Sequence, residues 1–230
     1  MTTVERGRGA ADRTRRPTAS RAGTGADMVA FAPVWLLVAL LYHPFIADLT
    51  DKASVAAALT PDPVRWGFSH LAVGVGSALL VLAFIVLRRY LRDAGEHRWS
   101  RWGLPFIVVG STLFAFLPAM EIAMLGVLAA GADVRAVLVA MDPWFVPILL
   151  AGSITFALGI LGFAVGIVRS GVLGRSLAWG VAAMLVLSAA GRFVPSTTVL
   201  LLGAVASIAA LWPLAYRMHK RPQPARTAES

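Results

Sequence analysis

The sequence predicts an all-α protein, a polytopic membrane bundle of about six transmembrane helices. Of its 230 residues, 58% are hydrophobic and 14% are charged, whereas a soluble domain usually carries about 25% charged residues. The charges cluster in short tracts between apolar runs of roughly twenty residues, the length with which a helix crosses about 30 Å of hydrocarbon. Lys and Arg are abundant in every second tract and scarce in the others, a bias typical of helices that cross a membrane in alternating directions.

Six apolar runs define the predicted spans. In chain order they cover residues 28–47, 66–87, 103–130, 144–168, 176–193 and 197–216. The third run is long enough to tilt, or to bend at Pro118, since a proline inside a helix removes one backbone hydrogen bond. Only residues 194–196 separate the last two runs, which predicts a tight helical hairpin. This length of chain fits one bundle without a separate soluble domain.

Both ends of the chain are basic. The sequence predicts a disordered, Arg-rich cytoplasmic tail over residues 1–27. The membrane domain follows over residues 28–216, and a second basic cytoplasmic tail is predicted over residues 217–230. Seventeen of the 21 Lys and Arg flank one side of the predicted bundle, three flank the other, and Arg192 lies within a span. Because the crowded side faces the cytoplasm, we expect a plasma (inner) membrane protein with both termini inside. The high content of Ala, Arg, Gly and Val is typical of a bacterial protein.

The formal net charge of +9 bears on the expected partners. The basic residues flank the spans, so the lipid bilayer and its anionic head groups are the predicted partners. Nucleic acid is not expected, because the interleaved aromatic and basic residues of its readers are missing from the sequence. The chain has no cysteine, which excludes disulfides, thiolate metal ligands and a cysteine nucleophile.

The outer connections predict two short interfacial helices, over residues 52–59 and 133–141. Each of these segments is followed by an Asp-Pro pair and then by a tryptophan, Trp66 or Trp144. Tryptophan favours the boundary between head groups and hydrocarbon, so we expect both indoles at the outer membrane surface. Trp99, Trp102 and Trp179 are expected at the inner surface in the same way.

Small residues predict where the spans pack, because helices in lipid associate where small side chains permit close approach. Three spans carry such residues on one face: Gly152, Gly159 and Gly166 on the fourth; Gly203 and Ser207 on the sixth; His70, Gly74 and Ser77 on the second.

Four ionisable residues lie within the predicted spans: His43, His70, Glu121 and Arg192. Charged groups in hydrocarbon are costly and usually face a bundle interior or water. At about 1.5 Å rise per residue, three of them lie roughly 22 to 27 Å from the cytoplasmic end of their spans, and His70 lies about 6 Å below the outer edge. The four therefore fall toward the outer side of the membrane and predict one candidate polar site.

The first hypothesis for this site is an outward-facing polar cavity that binds a small ligand, an ion or a proton. In it, Glu121 pairs with Arg192 and the two histidines line the wall. Histidine titrates near neutrality, and burial raises the pKa of a carboxyl toward the same range. The structural alternatives are an interfacial position for His43 and His70, an arginine that extends to the head groups, and a purely structural ion pair of Glu121.

Two further hypotheses involve a cofactor. His43, His70 and Glu121 form a two-His, one-carboxylate set of the kind that binds zinc in a metal-dependent membrane enzyme, although no HExxH spacing supports it. Alternatively, His43 and His70 hold a single haem as a redox module, with Arg192 at a propionate. Neither cofactor is the first expectation.

A non-catalytic membrane scaffold with basic tails is a last alternative. Whether the chain is an enzyme stays open at this point, although the sequence favours a protein without enzymatic activity. It contains no P-loop, no glycine-rich dinucleotide loop between a strand and a helix, and no nucleophile elbow. Six spans are few for a transporter that works alone, which favours a homo-oligomer.

Overall fold

The computed structural model describes residues 19–220, and this part of the chain forms helices without any strand. The helices are α1 (Ala19–Tyr42), α2 (Lys52–Leu59), α3 (Pro63–Asp93), α4 (Trp99–Ala129), α5 (Val134–Ser170), α6 (Arg175–Ala190) and α7 (Thr197–Lys220). A single 3₁₀ turn, Gly191–Phe193, follows α6 directly. All but α2 are long and apolar enough to cross a membrane. The predicted all-α bundle of six spans is therefore confirmed.

The six long helices form a closed ring. Each packs against the next one along the chain, and α7 returns to pack against α1. Tryptophan side chains reinforce the contacts of α1, because Trp35 Nε1 donates to Ala72 O of α3 at 2.9 Å and Trp212 Nε1 of α7 donates to Ala30 O at 3.1 Å. The short α2 lies across one end of the ring and packs against α5.

The first helix differs from its prediction at both ends. It begins at Ala19 rather than at residue 28, within the predicted tail, and ends at Tyr42 rather than at residue 47. Pro44 explains the early end, because the residue before a proline disfavours the α conformation, and this frees His43 from the helix. Residues 1–18 and 221–230, which hold most of the two predicted tails, lie outside the described residues.

The predicted helix over residues 52–59 is confirmed as α2. Asp51 caps it by accepting hydrogen bonds from the backbone N–H groups of Ala53 and Ser54. Its apolar side, Val55 and Leu59, is buried in a small cluster. This cluster closes the end of the ring at which α3 and α5 begin.

The predicted separate helix over residues 133–141 is wrong. These residues are the first turns of α5, which continues without interruption through Pro143 and Pro147. Asp142 does not cap a new helix start; its carboxylate pairs with Lys52 at 2.7 Å. Prolines are tolerated within membrane helices because neighbouring groups satisfy the freed carbonyls.

The predicted glycine seam of α5 is confirmed by its contact with α4. A Cβ atom added at Gly159 would lie 2.7 Å from the backbone N of Ile107, and one at Gly110 would overlap the backbone of Phe156. Gly152 and Gly166 also face α4 or the turn before it, whereas Gly203 of α7 faces α6. Gly74 is an exception, since it faces open space, and its predicted role in packing is wrong.

The interior of the ring is filled unevenly. A large apolar core, with Phe84, Phe163 and Leu214 among its fully buried members, fills the half near the α3–α4 and α5–α6 connections. A smaller cluster, around Leu59 and Trp66, lies at the opposite end under α2. A cavity separates these two packed regions.

Candidate functional site

The cavity has a volume of about 190 Å³ and lies between the core and the α2 end of the ring. All four ionisable residues singled out in the sequence line it: His43, His70, Glu121 and Arg192. Lys52 and Asp142 are at its wall as well, together with Thr50, Ser188, Thr197 and Ser207. The remaining lining is mainly apolar, with leucines from α1, α4, α5 and α7 and the rings of Phe114, Phe145 and Phe156.

The two histidines face each other through their Nε2 atoms, which lie 3.3 Å apart. Each ring uses its other nitrogen toward a backbone carbonyl: His43 Nδ1 lies 2.6 Å from Pro44 O, and His70 Nδ1 lies 2.7 Å from Trp66 O. A carbonyl only accepts hydrogen bonds, so these partners assign the proton to Nδ1 in both rings. Both Nε2 atoms therefore direct a lone pair at the same point unless a further proton is bound.

Glu121 of α4 completes this arrangement. Its Oε2 atom lies 2.9 Å from His70 Nε2, and its backbone carbonyl accepts a hydrogen bond from Trp66 Nε1 at 3.0 Å. His70 is 2% exposed, so the pair is largely shielded from solvent. We refer to His43, His70 and Glu121 as the His–His–Glu cluster.

The cluster brings together three hydrogen-bond acceptors, namely two imidazole nitrogens and one carboxylate oxygen. Two of its contacts, at 3.3 Å and 2.9 Å, meet at His70 Nε2. With both Nδ1 protons directed at carbonyls, neither contact is a hydrogen bond unless the cluster holds at least one more proton. Bound at His70 Nε2, that proton satisfies Glu121 and lies next to the free lone pair of His43.

His43 is partly buried and lies just beyond the last residue of α1, outside the membrane-spanning helices. Burial, and after it repulsion from His70, lowers its pKa to about 4. His43 is therefore neutral near pH 7, in agreement with its proton on Nδ1. Arg65 holds this corner in place, since its Nε atom donates to Tyr42 O at 2.8 Å.

Arg192 does not form the ion pair with Glu121 that the sequence predicted. Its guanidinium lies over two aromatic rings, 3.6 Å from the centroid of Phe156 and 4.4 Å from that of Phe114. The residue is 8% exposed, and its Nη1 atom is buried without a hydrogen-bond partner among the described residues. The prediction failed because Glu121 is already paired with His70.

The rim of the cavity at the α2 end is built from two long-range contacts. Lys52 Nζ of α2 pairs with Asp142 Oδ1 of α5 at 2.7 Å. Thr197 Oγ1 donates to Ile46 O at 2.7 Å and accepts from Ile46 N at 3.2 Å, which joins the loop after α1 to the start of α7. These contacts hold α2 and the loop before it over the cavity.

Sequence reasoning missed several residues of this site. Trp66 was predicted at the membrane surface, yet it is completely buried and stacks against His70 with ring centroids 4.2 Å apart. Phe114, Phe156 and Thr197 carry no local signal of their role. Lys52 was also missed, but its role did have a signal in the sequence, because a single lysine near loop aspartates suggests an ion pair. Trp102, Trp144 and Trp179 are exposed, and their position at the membrane boundary stays a prediction.

The two cofactor hypotheses bear on the same cluster. No group of three His, Cys, Asp or Glu residues between 19 and 220 has the arrangement of a metal site. The 3.3 Å separation of the two Nε2 atoms places the imidazoles in direct contact, with no space for a porphyrin between them. The geometry suits a shared proton better than either cofactor.

No protein-family model, no curated protein and no solved structure matches this chain. The fold itself defines the class: a multi-pass membrane protein, built as a ring of six apolar helices long enough to span a bilayer.

Proposed function

We propose that this multi-pass protein binds a small ligand in an outward-facing cavity of the membrane bundle, and that its His–His–Glu cluster exchanges a single proton in that cavity. The observation that carries the proposal is the convergence of His43 Nε2, His70 Nε2 and Glu121 Oε2, at 3.3 Å and 2.9 Å. Three acceptors at such distances require a proton or another cation between them.

The position of the cluster supports a functional role over a purely structural one. A buried ion pair contributes little net stability, because the desolvation of its charges can cost more than their attraction gains. Here the paired groups line a cavity of about 190 Å³, so a ligand that enters can exchange hydrogen bonds with them. Intramembrane ionisable groups that face a cavity are typical of ligand and proton pathways.

The orientation of the cavity follows from the charge bias. The connections next to the cavity, at the α2 end, carry few Lys and Arg, and those at the opposite end carry many. By the positive-inside rule the cavity opens away from the cytoplasm, in the plasma membrane, with both termini inside. The basic connections then lie against the anionic head groups of the inner leaflet.

The proton is tested by nitrogen NMR of histidine-labelled protein in lipid nanodiscs, recorded over a range of pH. The ¹⁵N shift of an imidazole nitrogen distinguishes its protonated and bare forms. We expect protonated Nδ1 atoms in His43 and His70 at neutral pH, with one further proton at the His70 Nε2 atom. In Glu121→Gln we expect no proton at the His70 Nε2 atom, because a neutral amide does not balance the charge of an imidazolium.

His97→Gln is the matched control, since His97 is an exposed histidine outside the cluster, and it leaves the signals of His43 and His70 unchanged. A His70 Nε2 atom without a proton at neutral pH, or a proton at this atom that Glu121→Gln does not remove, contradicts the proposal. Stoichiometric zinc in the purified protein, lost in His70→Gln, would instead assign the cluster to a metal.

A further inference from the structure

Arg192 is a buried cation that the proton cluster does not use. It lies in the 3₁₀ turn Gly191–Phe193 and lines the same cavity. Its backbone is anchored, because Ser153 Oγ donates to Arg192 O at 3.2 Å. Its guanidinium, by contrast, meets the faces of Phe114 and Phe156.

The contacts with the rings leave the hydrogen-bonding capacity of the guanidinium unfilled. A guanidinium carries five N–H donors in a planar fork, and an aromatic face attracts its charge without satisfying the fork. Nη1 has no partner among the described residues. A buried donor of this kind has a strong free-energy gain available from an acceptor that enters the cavity, and a planar carboxylate matches the fork with two parallel hydrogen bonds.

The charges around the cavity indicate how many negative charges the acceptor carries. Lys52 and Asp142 neutralise each other across the rim. The His–His–Glu cluster with its proton at His70 Nε2 is neutral overall, because the imidazolium balances the Glu121 carboxylate. Arg192 is then the one uncompensated charge among the cavity-lining residues of the described chain, which favours a monoanion over a dianion such as phosphate.

The size and lining of the cavity define the rest of the ligand. Engineered apolar cavities of about 150 Å³ accept benzene, so a volume of about 190 Å³ accommodates a ring of that size with one small polar group. The walls near the arginine are phenylalanine and leucine side chains, which favour an apolar body. A long acyl chain exceeds this space.

We propose that Arg192 anchors a subsite for a monocarboxylate with a short apolar body, of about the size of benzoate. The carboxylate pairs with the guanidinium between Phe114 and Phe156, and the apolar body fills the leucine-lined part of the cavity. The subsite rests on the proposed function in one respect, the neutral charge of the His–His–Glu cluster.

The test is calorimetric titration of the full chain in nanodiscs, with empty nanodiscs as the blank and benzoate as the probe. We expect one benzoate per chain, and an affinity about tenfold or more above that of benzyl alcohol, since a hydrogen-bonded charge distinguishes the two ligands. Inorganic phosphate is expected not to displace benzoate. Hexadecanoate, which represents a lipid-derived carboxylate, is expected to bind no more tightly than hexanoate.

Arg192→Gln is expected to weaken benzoate binding by about tenfold or more, and Arg135→Gln, which changes an exposed arginine of α5, leaves it unchanged. The ligand series on the unmodified chain decides the question even where Arg192→Gln fails to fold. Equal binding of benzyl alcohol, displacement by phosphate, or affinity that rises from hexanoate to hexadecanoate overturns the proposal. Benzoate binding without a proton at His70 Nε2 would refute the proton cluster and leave the subsite standing, so the two failures are distinguishable.

Discussion

Trp66 illustrates how a single residue changes its role once its partners are known. A tryptophan near a span end usually marks the membrane interface, but this indole is completely buried. Its N–H group donates to Glu121 O at 3.0 Å, and its carbonyl accepts from His70 Nδ1 at 2.7 Å. Trp66 therefore positions Glu121 through its side chain and His70 through its backbone. The indole tolerates full burial because its N–H group has a hydrogen-bond partner.

Thr197→Val is predicted to destabilise the protein by about 1 to 3 kcal/mol, the cost of leaving the buried Ile46 N–H group unsatisfied. The hydroxyl of Thr197 both donates to and accepts from the backbone of Ile46, and valine keeps the shape without the hydroxyl. Unfolding by denaturant in a mild detergent measures the change. Thr198→Val is the matched control, because the side chain of Thr198 is exposed. Equal stability of the two variants would contradict the inference that the Thr197 hydroxyl joins α7 to the loop after α1.

At the scale of elements, α4 and α5 are the closest pair in the ring. Glycines at matching heights of the two helices permit backbone contact, as the short approaches at Gly103, Gly110 and Gly159 demonstrate. In lipid, burying apolar side chains between helices gains little free energy, because the lipid tails are apolar too. The dispersion contacts of this close packing therefore stabilise the α4–α5 pair. The α4–α5 pair also carries Glu121, Phe114 and Phe156, so its rigidity holds one wall of the cavity in position.

Gly110→Ala is predicted to destabilise the bundle by about 1 to 3 kcal/mol, because the new methyl group overlaps the backbone of Phe156. Gly126→Ala, on the same helix, is predicted to be neutral or to stabilise by up to about 1 kcal/mol, since open space surrounds that position and alanine is the better helix former. Thermal unfolding of both variants in detergent measures the difference. If Gly110→Ala proves as stable as Gly126→Ala, the α4–α5 seam is not the close contact described above.

At the scale of the whole molecule, the ring order decides which polar groups meet. Glu121 on α4 faces His70 on the adjacent α3, whereas α5 stands between α4 and α6, which leads into the turn that holds Arg192. One cavity thus contains two polar sites, the His–His–Glu cluster and the guanidinium of Arg192. The proposed binding of a proton and a monocarboxylate follows from this separation.

Cysteine labelling tests the orientation of the bundle in the membrane, because the chain has no native cysteine that would react in the background. Thr60→Cys and Ala132→Cys, in exposed positions at the α2 end, are expected to react with a membrane-impermeant maleimide on intact cells. Ser176→Cys, exposed at the opposite end of the bundle, is expected to react only after the cells are permeabilised. Labelling of Ser176→Cys on intact cells, with protection of the other two, would reverse the proposed orientation.

The sequence alone determined the spans, because a helix that crosses a bilayer needs a minimum length of apolar residues. The same logic set an approximate height for each polar residue, and the structure brings His43, His70, Glu121 and Arg192 to one cavity. It was less successful at boundaries such as residue 142, where the predicted helix end is absent, α5 continues and Asp142 forms a tertiary ion pair with Lys52.

Only the tertiary structure decided the lateral neighbours. Hydropathy and rise per residue locate a group along the membrane normal, but they contain no information on helix order around the ring or on rotation about each axis. These two variables paired Glu121 with His70 rather than with Arg192 and buried Trp66 between the histidines and α4. They also left the guanidinium of Arg192 against two aromatic rings with Nη1 unpartnered among the described residues, which is the feature from which the carboxylate subsite is inferred.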